Sequence, residues 1–251
     1  MVGAASTRGF RGAGQRWVTV SGTIRAIDEI DSDVARRIFG SSAAVALGGW
    51  PGATTGRAWA SSAGFAEDVA TGAVAEDVRV VMYDPEHWDA TPAEERLDPR
   101  GSIEAFCTLA RKRGYTVVVT PHPNLVSVPG SAHAPRSGET RESAYLRSGI
   151  VEISAAGADA VETQAQTLQR DPAAYREFVG ETARLARDVD PDVQVLSGLS
   201  THPGYPATEQ MLLDAWASVR DVVDGHYLSL ARLRLTEVAT SFLAATLRDT
   251  I

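Results

Sequence analysis

The sequence predicts an α/β protein folded as a (β/α)8-type TIM barrel with one strand irregular or missing, and three observations carry that expectation. Short apolar runs alternate with amphipathic helical stretches from one end of the chain to the other. The length, 251 residues, is that of one such domain. Polar residues stand at the ends of many different strands, where a barrel collects its chemistry. An open doubly wound sheet would satisfy the same alternation, but it calls for a glycine-rich phosphate turn after an early strand. Gly48-Gly49-Trp50-Pro51-Gly52 places a Trp and a Pro where a helix should approach a pyrophosphate, and the GxGxxG spacing is not met.

Residues 1–16, MVGAASTRGFRGAGQR, are small, basic and glycine-rich without the apolar stretch of a signal peptide, and read as a flexible arm before a barrel domain over 17–251. Strands are then expected at WVTVS from Trp17, AAVALGG from Ala43, VRVVMY from Val78, TVVVT from Thr116, ADAVETQ from Ala158, VQVLSG from Val193 and HYLSL from His226. An eighth strand is absent from this set or hidden in the glycine-rich 48–64 region. Helices are expected over 31–39, 65–75, 101–113, 140–156, 172–189, 207–223 and 235–247. Asp171-Pro172 supplies an N-cap followed by proline at the first helical position, and Gly114, Gly157 and Gly225 stand where helices hand over to strands. Two segments, 84–99 and 121–138, read as long loops at the C-terminal ends of strands, the usual place for functional lids.

Composition narrows the function. A hydrophobic content of 44% with 22% charged residues is that of an ordinary globular protein. The net charge of −8 argues against nucleic acid as a partner, and the basic run Arg111-Lys112-Arg113 complements the dipole at a helix end. No apolar run reaches the ~20 residues of a membrane span, so no membrane partner is expected. Cys107 is the sole cysteine and lies on an apolar face with Ile103, Phe106 and Ala110, which makes it an inert thiol and points to a cytoplasmic location. Leu235, Val238, Phe242, Leu243 and Leu247 form an apolar face that closes the barrel or serves a homodimer.

Alternation along each strand directs side chains either to the barrel interior or to the helices. One row holds Val80, Met82, Asp84 and Glu86, if extended geometry persists through Pro85. Others hold Val118, Thr120, His122 and Asn124; Glu162, Gln164 and Gln166; Gln194, Leu196, Gly198, Ser200 and His202; and Tyr227 with Ser229. Five strands thus point polar groups into one volume, with Glu162 deepest in its row. Glu86 and Glu162 read as a carboxylate pair with Asp84 beside them, because burial raises one carboxyl's pKa while a neighbour stays ionised. Each also has a structural reading: Glu86 in a loop salt bridge, Glu162 paired with an arginine, Asp84 as a turn former before proline. His122 and His202 are candidate acids or bases, or loop histidines held between prolines. Asn124, Gln164, Gln166, Ser200, Thr201, Tyr227 and Ser229 suit a small hydroxylated ligand, and Trp50 and Trp88 could stack on a ring or pack against a lid. No HExxH or close His-x-His spacing joins Asp84, Glu86, His122, Glu162 and His202 into a metal site, so neither metal nor cofactor is expected. The GxSxG motif of serine hydrolases is absent.

YDPEHWDATPAEE, ADAVETQAQ and VLSGLSTHPG together resemble a set of glycoside-hydrolase-like (β/α) barrel proteins, mostly of unassigned function, in which a DPE segment, a Q-x-Q strand and a GLST-type strand recur. The resemblance covers roughly 43–232 and implies a site at the strands' C-terminal ends. The DxxDxDxE strand and the paired Asn-Glu motif of well-known glycosidases are not present. The expectation is an enzyme acting on a small hydroxylated molecule, most simply by glycoside hydrolysis through Glu86 and Glu162. A carboxyl separation of ~5 Å would then mean retention and ~6.5–9.5 Å inversion. Two alternatives use the same residues: a lyase, isomerase or cyclase of specialised metabolism that adds no water, and a non-catalytic ligand-binding barrel.

Overall fold

The computed structural model describes residues 15–230 and 235–249; most of the expected arm lies outside them. The elements run β1 (Arg16–Val20), α1 (Ser21–Ile30), α2 (Ser32–Phe39), β2 (Val45–Leu47), β3 (Thr54–Trp59), α3 (Ser62–Thr71), β4 (Val80–Tyr83), α4 (Ala93–Leu97) and α5 (Pro99–Lys112). They continue with β5 (Thr116–Val119), α6 (Arg141–Arg147), α7 (Ile150–Gly157), β6 (Ala160–Thr163), α8 (Pro172–Val189), β7 (Gln194–Ser200), α9 (Glu209–Val219), β8 (Gly225–Ser229) and α10 (Thr236–Asp249). All strand pairs are parallel, each strand pairs with the next, and β8 pairs back onto β1 through Arg16↔Gly225 and Trp17↔His226. The sheet is therefore a closed barrel, as the alternation of elements predicts.

The strand left open in the sequence is β3, TTGRAW, inside the 48–64 region. It carries no strong apolar alternation: Thr54, Gly56 and Ala58 share one face and Arg57 stands on the other in an ion pair with Asp68, while a Cβ at Gly56 would stand 2.8 Å from Leu47 Cδ2 and 2.9 Å from Val45 Cγ1. Parallel neighbours usually need a long helical crossover, yet β2 returns to β3 through 48–53 alone. Gly48, Gly49 and Gly52 take positive φ values of 94°, 82° and 86° to make that return. Trp50, half-buried in that return, packs against the core between sheet and helices.

Other expectations need correcting. Arg16 belongs to β1 rather than to an arm, and Gln15 is held by Trp216 Nε1 at 3.0 Å and donates to the Arg220 carbonyl at 3.2 Å. The helix expected over 140–156 is two, broken at Gly149, whose φ of 76° ends the first turn sequence and starts the second. Helix α1 was not expected at all; it follows β1 with no loop, Val20 serving as its N-cap residue. The two long loops contain short helical pieces, α4 and a 3₁₀ turn over Pro123–Ser127.

Two apolar cores result. Val18, Val45, Leu47, Val80, Met82, Val118, Ala160 and Leu196, with Tyr227 against them, fill the barrel interior. A larger shell between sheet and helices includes Ile24, Phe39, Phe65, Tyr83, Phe106, Tyr145, Tyr175, Trp216, Phe242 and Leu243. Phe242 and Leu243 are fully buried and Val238 and Leu247 pack beside them, so the apolar face of the last helix serves barrel closure. Among the described residues no helix is long and apolar enough to cross a membrane.

Candidate active site

The interior plug stops below the C-terminal ends of β4, β5 and β6, and there the inward rows turn from apolar to polar. Val80 and Met82 give way to Asp84, Val118 to Thr120 and Ala160 to Glu162. Pairing of the β4 and β5 chains continues past the assigned strands: Thr120 N donates to Tyr83 O at 2.9 Å and His122 N to Pro85 O at 3.1 Å. Extended geometry thus persists through Pro85, which is the condition that keeps Asp84 and Glu86 on one row.

A chain of hydrogen bonds joins three strands at this level. Thr120 Oγ1 donates a short hydrogen bond to Glu162 Oε2. Gln164 Nε2 lies 3.0 Å from Thr120 Oγ1, 2.8 Å from the Thr120 carbonyl and 2.8 Å from Asp84 Oδ1. Glu162 is 2% exposed, the deepest of its row, and its Oε1 has no hydrogen-bond partner. Next to it, Gly198 on β7 leaves room for both side chains: a Cβ there would press on Glu162 Oε1 and stand 2.5 Å from Gln166 Nε2, so one or both would have to shift.

Electrostatics follow from burial without nearby compensation. Burial, then the Asp84 and Glu86 charges, lift the Glu162 carboxyl to about 8, against the pull of the Thr120 hydroxyl. Asp84 rises to about 7, chiefly by burial and then by Glu86, opposed by the Gln164 and Thr120 hydrogen bonds. Glu86, half-buried, is also raised by burial, with Gln164 opposing the shift. Tyr227 is driven up by burial and by all three carboxyls, which places it over the same cluster. The three acids titrate as one coupled group. At neutral pH Glu162 holds its proton, and Glu86 is the shallower of the two glutamates.

The other expected site residues divide. His122 is half-buried, and its Nδ1 accepts from Asn124 N at 2.9 Å, so the ring caps the 3₁₀ turn; burial and then Arg141 hold it down at about 4, a neutral imidazole. Asn124 spends its Oδ1 on the His87 backbone N–H at 2.8 Å, tying the β4 and β5 loops together. Ser200 is gripped by Gln169, which accepts from Ser200 N at 3.0 Å and donates to its carbonyl at 2.7 Å, while Ser200 Oγ accepts from His202 N. The His202 ring is exposed. Thr201 is buried and its backbone pairs with Ser229 and Ala207. Trp88 is 44% exposed, its Nε1 donating to Thr91 Oγ1 at 2.9 Å, so it stands out from the β4 loop, whereas Trp50 packs outside the barrel, away from the inward rows. Tyr227 and Ser229 lie half-buried at the end of β8. Gln166 is no longer on a strand: Ala165, at φ −103° and ψ 10°, breaks the extended run, and the amide still reaches Gly198.

Sequence reasoning missed two tyrosines that come from helices. Tyr175 on α8 donates to the Gly198 carbonyl at 2.8 Å, and Tyr145 on α6 is buried within range of the Glu162 charge. Their place in helical apolar rows gives no hint of a polar task. Cys107 is buried, with its thiol pushed up to about 12, and stays inert. A second buried acid, Glu95, lies outside the site and accepts from Ser61 Oγ, Ser62 N, Ala63 N and Tyr83 OH at 2.7–2.9 Å. Ser197 and His226 form a buried pair on the helix side, Oγ to Nδ1 2.8 Å, with the imidazole held neutral by burial at about 3. Among the described residues, no group of three or more His, Cys, Asp or Glu side chains is placed to hold a metal ion.

No protein-family model matches the chain, and no curated protein matches it. Solved structures similar to it include glycoside hydrolases and a lyase. A candidate α-L-fucosidase from Bacteroides thetaiotaomicron is 10% identical with a TM-score of 0.47, over 74% of this chain and 59% of that one; this chain therefore spans less than two thirds of that relative. Hydroxymethylglutaryl-CoA lyase from Pseudomonas aeruginosa is 14% identical at a TM-score of 0.49, covering 87% and 77%. The catalytic domain of a family GH18 chitinase from the fern Peteris ryukyuensis is 14% identical at 0.49, covering 90% and 78%. Likeness this distant carries no argument about activity, and the barrel assignment rests on the chain's own strand register.

Proposed function

We propose that the protein is a hydrolase of small glycosides, with Glu162 as the proton donor and Glu86 as the ionised carboxylate. Glu162 protonates the departing glycosidic oxygen, and Glu86 attacks the anomeric carbon or activates a water that does so. Asp84, shared between Gln164 and the two glutamates, holds the pair's charge balance. The observation that carries the reading is the continuous link from Asp84 through Gln164 and Thr120 to Glu162, which gathers acids of unequal depth at one barrel end. Acids so arranged ionise apart, which is what acid and base roles require.

The near-complete burial of Glu162 also favours a second reading, proton transfer within one bound molecule by a lyase or isomerase. The test is turnover of a panel of 4-nitrophenyl glycosides in ¹⁸O-water by wild type, Glu86→Gln and Glu162→Gln. Hydrolysis predicts product carrying one solvent oxygen and a loss of about 100-fold or more in each variant. Product without solvent oxygen would favour the second reading. Absence of turnover across hexose, deoxyhexose and amino-sugar glycosides, or unchanged rates in both variants, would overturn the proposal.

A further inference from the structure

Glu162 is held at one oxygen only. Its Oε2 accepts from Thr120, whose hydroxyl is itself oriented by Gln164, while Oε1 is buried with no partner. A protonated carboxyl tolerates that state poorly, and a carboxylate tolerates it worse, because a buried anion needs donors on both oxygens. One donor placed to supply one is Gln166 Nε2. It and Glu162 Oε1 flank the same point, the place a Cβ on residue 198 would occupy. Glycine leaves that point open, and Tyr175 OH pins the strand from behind by donating to the Gly198 carbonyl at 2.8 Å. Gln166 sits on the 3₁₀ turn Gln166–Leu168 rather than on β6, so its amide can swing by a local rotation without disturbing the barrel.

We propose that Gln166 is a positioning residue for Glu162, its amide closing onto Oε1 across the bare Cα of Gly198 as the acid gives up its proton. The inference rests on Glu162 acting as an acid, and it reassigns Gln166 from ligand contact to support of the acid. When the Oε1 proton leaves for a substrate oxygen, the carboxylate accepts from Thr120 on one side and Gln166 on the other. When the proton returns, the amide swings away. The other charged or titratable groups facing Glu162 are Asp84 and Glu86 from the β4 end, Tyr145 from α6, Tyr175 from α8 and Tyr227 from β8. None carries a positive charge: Asp84 and Glu86 oppose ionisation of Glu162, the Tyr175 hydroxyl is spent on the Gly198 carbonyl, and the buried Tyr145 hydroxyl makes no hydrogen bond to Oε1.

The test is a ¹³C NMR titration of the Glu162 carboxyl in ligand-free wild type, Gln166→Ala and Gly198→Ala. Losing a donor that serves only the ionised form raises the Glu162 midpoint in Gln166→Ala by about one pH unit. Gly198→Ala, which blocks the approach, moves it in the same direction; if that variant does not fold, Gln166→Ala decides alone. A Glu162 midpoint unmoved in Gln166→Ala would overturn the proposal. The titration needs no substrate, so it stands or falls apart from glycoside turnover; a moved midpoint with no hydrolysis would retain the positioning role and sink only the glycosidase reading.

Discussion

Glu162 links the site to stability. Its carboxyl titrates near 8 when folded against an ordinary value of 4.5. Below about pH 4.5 the group is protonated in both folded and unfolded chains, and folding carries no ionisation penalty. As pH rises toward and through 8 the unfolded chain ionises freely while the folded one must ionise in a dry interior, so stability falls. Asp84 acts with the same sign over a window ending near 7. Glu162→Gln removes the larger liability while keeping the volume. Urea unfolding at pH 5 and pH 9 should show the variant gaining about 2 kcal/mol or more on wild type between the two pH values; parallel behaviour at both would contradict the burial account. At this scale the sequence was legible where alternation applies. Glu162, Gln164 and Asp84 follow from strand parity, and Thr120 shares their row. Tyr145 and Tyr175 were not legible, because an aromatic residue on a helix reads as core and only the fold aims its hydroxyl.

Helix α4 shows why an element can hide in a loop. Ala93–Leu97 is too short for an apolar period, and it exists to deliver Glu95 to the N-terminus of α3. There the carboxylate accepts two backbone N–H groups and the hydroxyls of Ser61 and Tyr83, four donors at one buried anion. Glu95→Ala strands those donors and should cost about 3 kcal/mol in urea unfolding, with a Tyr83→Phe, Glu95→Ala double variant recovering part of the loss. A cost near zero would mean that water replaces the carboxylate. Helix α1 escaped the sequence for a different reason: strand and helix abut at Val20–Ser21, so no turn residue marks the boundary. The Asp171 cap, by contrast, is read directly from Asp171-Pro172, and Asp31 opens the helix expected over 31–39. Asp31 accepts from Asp33 N and Val34 N, and Asp171 from Ala173 N and Ala174 N, where side-chain chemistry alone fixes the helix starts.

The closed barrel makes these residues a site. Asp84 and Glu162 lie far apart in the chain, on strands separated by β5, and they meet because the ring carries three neighbouring inward rows to one level. The interior plug of Val18, Val45, Leu47, Val80, Met82, Val118, Ala160 and Leu196 keeps water from their floor. The alternating pattern of the whole chain was enough to predict the ring, and β3 was obscured because TTGRAW sets two threonines, a glycine and an arginine where apolar alternation would mark a strand. Burial and mutual repulsion in this assembly lift Glu162 and Asp84 far above ordinary carboxyls, as members of one coupled set. A ¹³C NMR titration of the side-chain carboxyls of the folded protein, assigned with Glu162→Gln and Asp84→Asn, measures that lift directly. Glu162 should titrate at about 8 and Asp84 at about 7, and the Glu162 midpoint should fall when Asp84 is neutralised. If both titrate with the surface carboxylates near pH 4, the lift is contradicted.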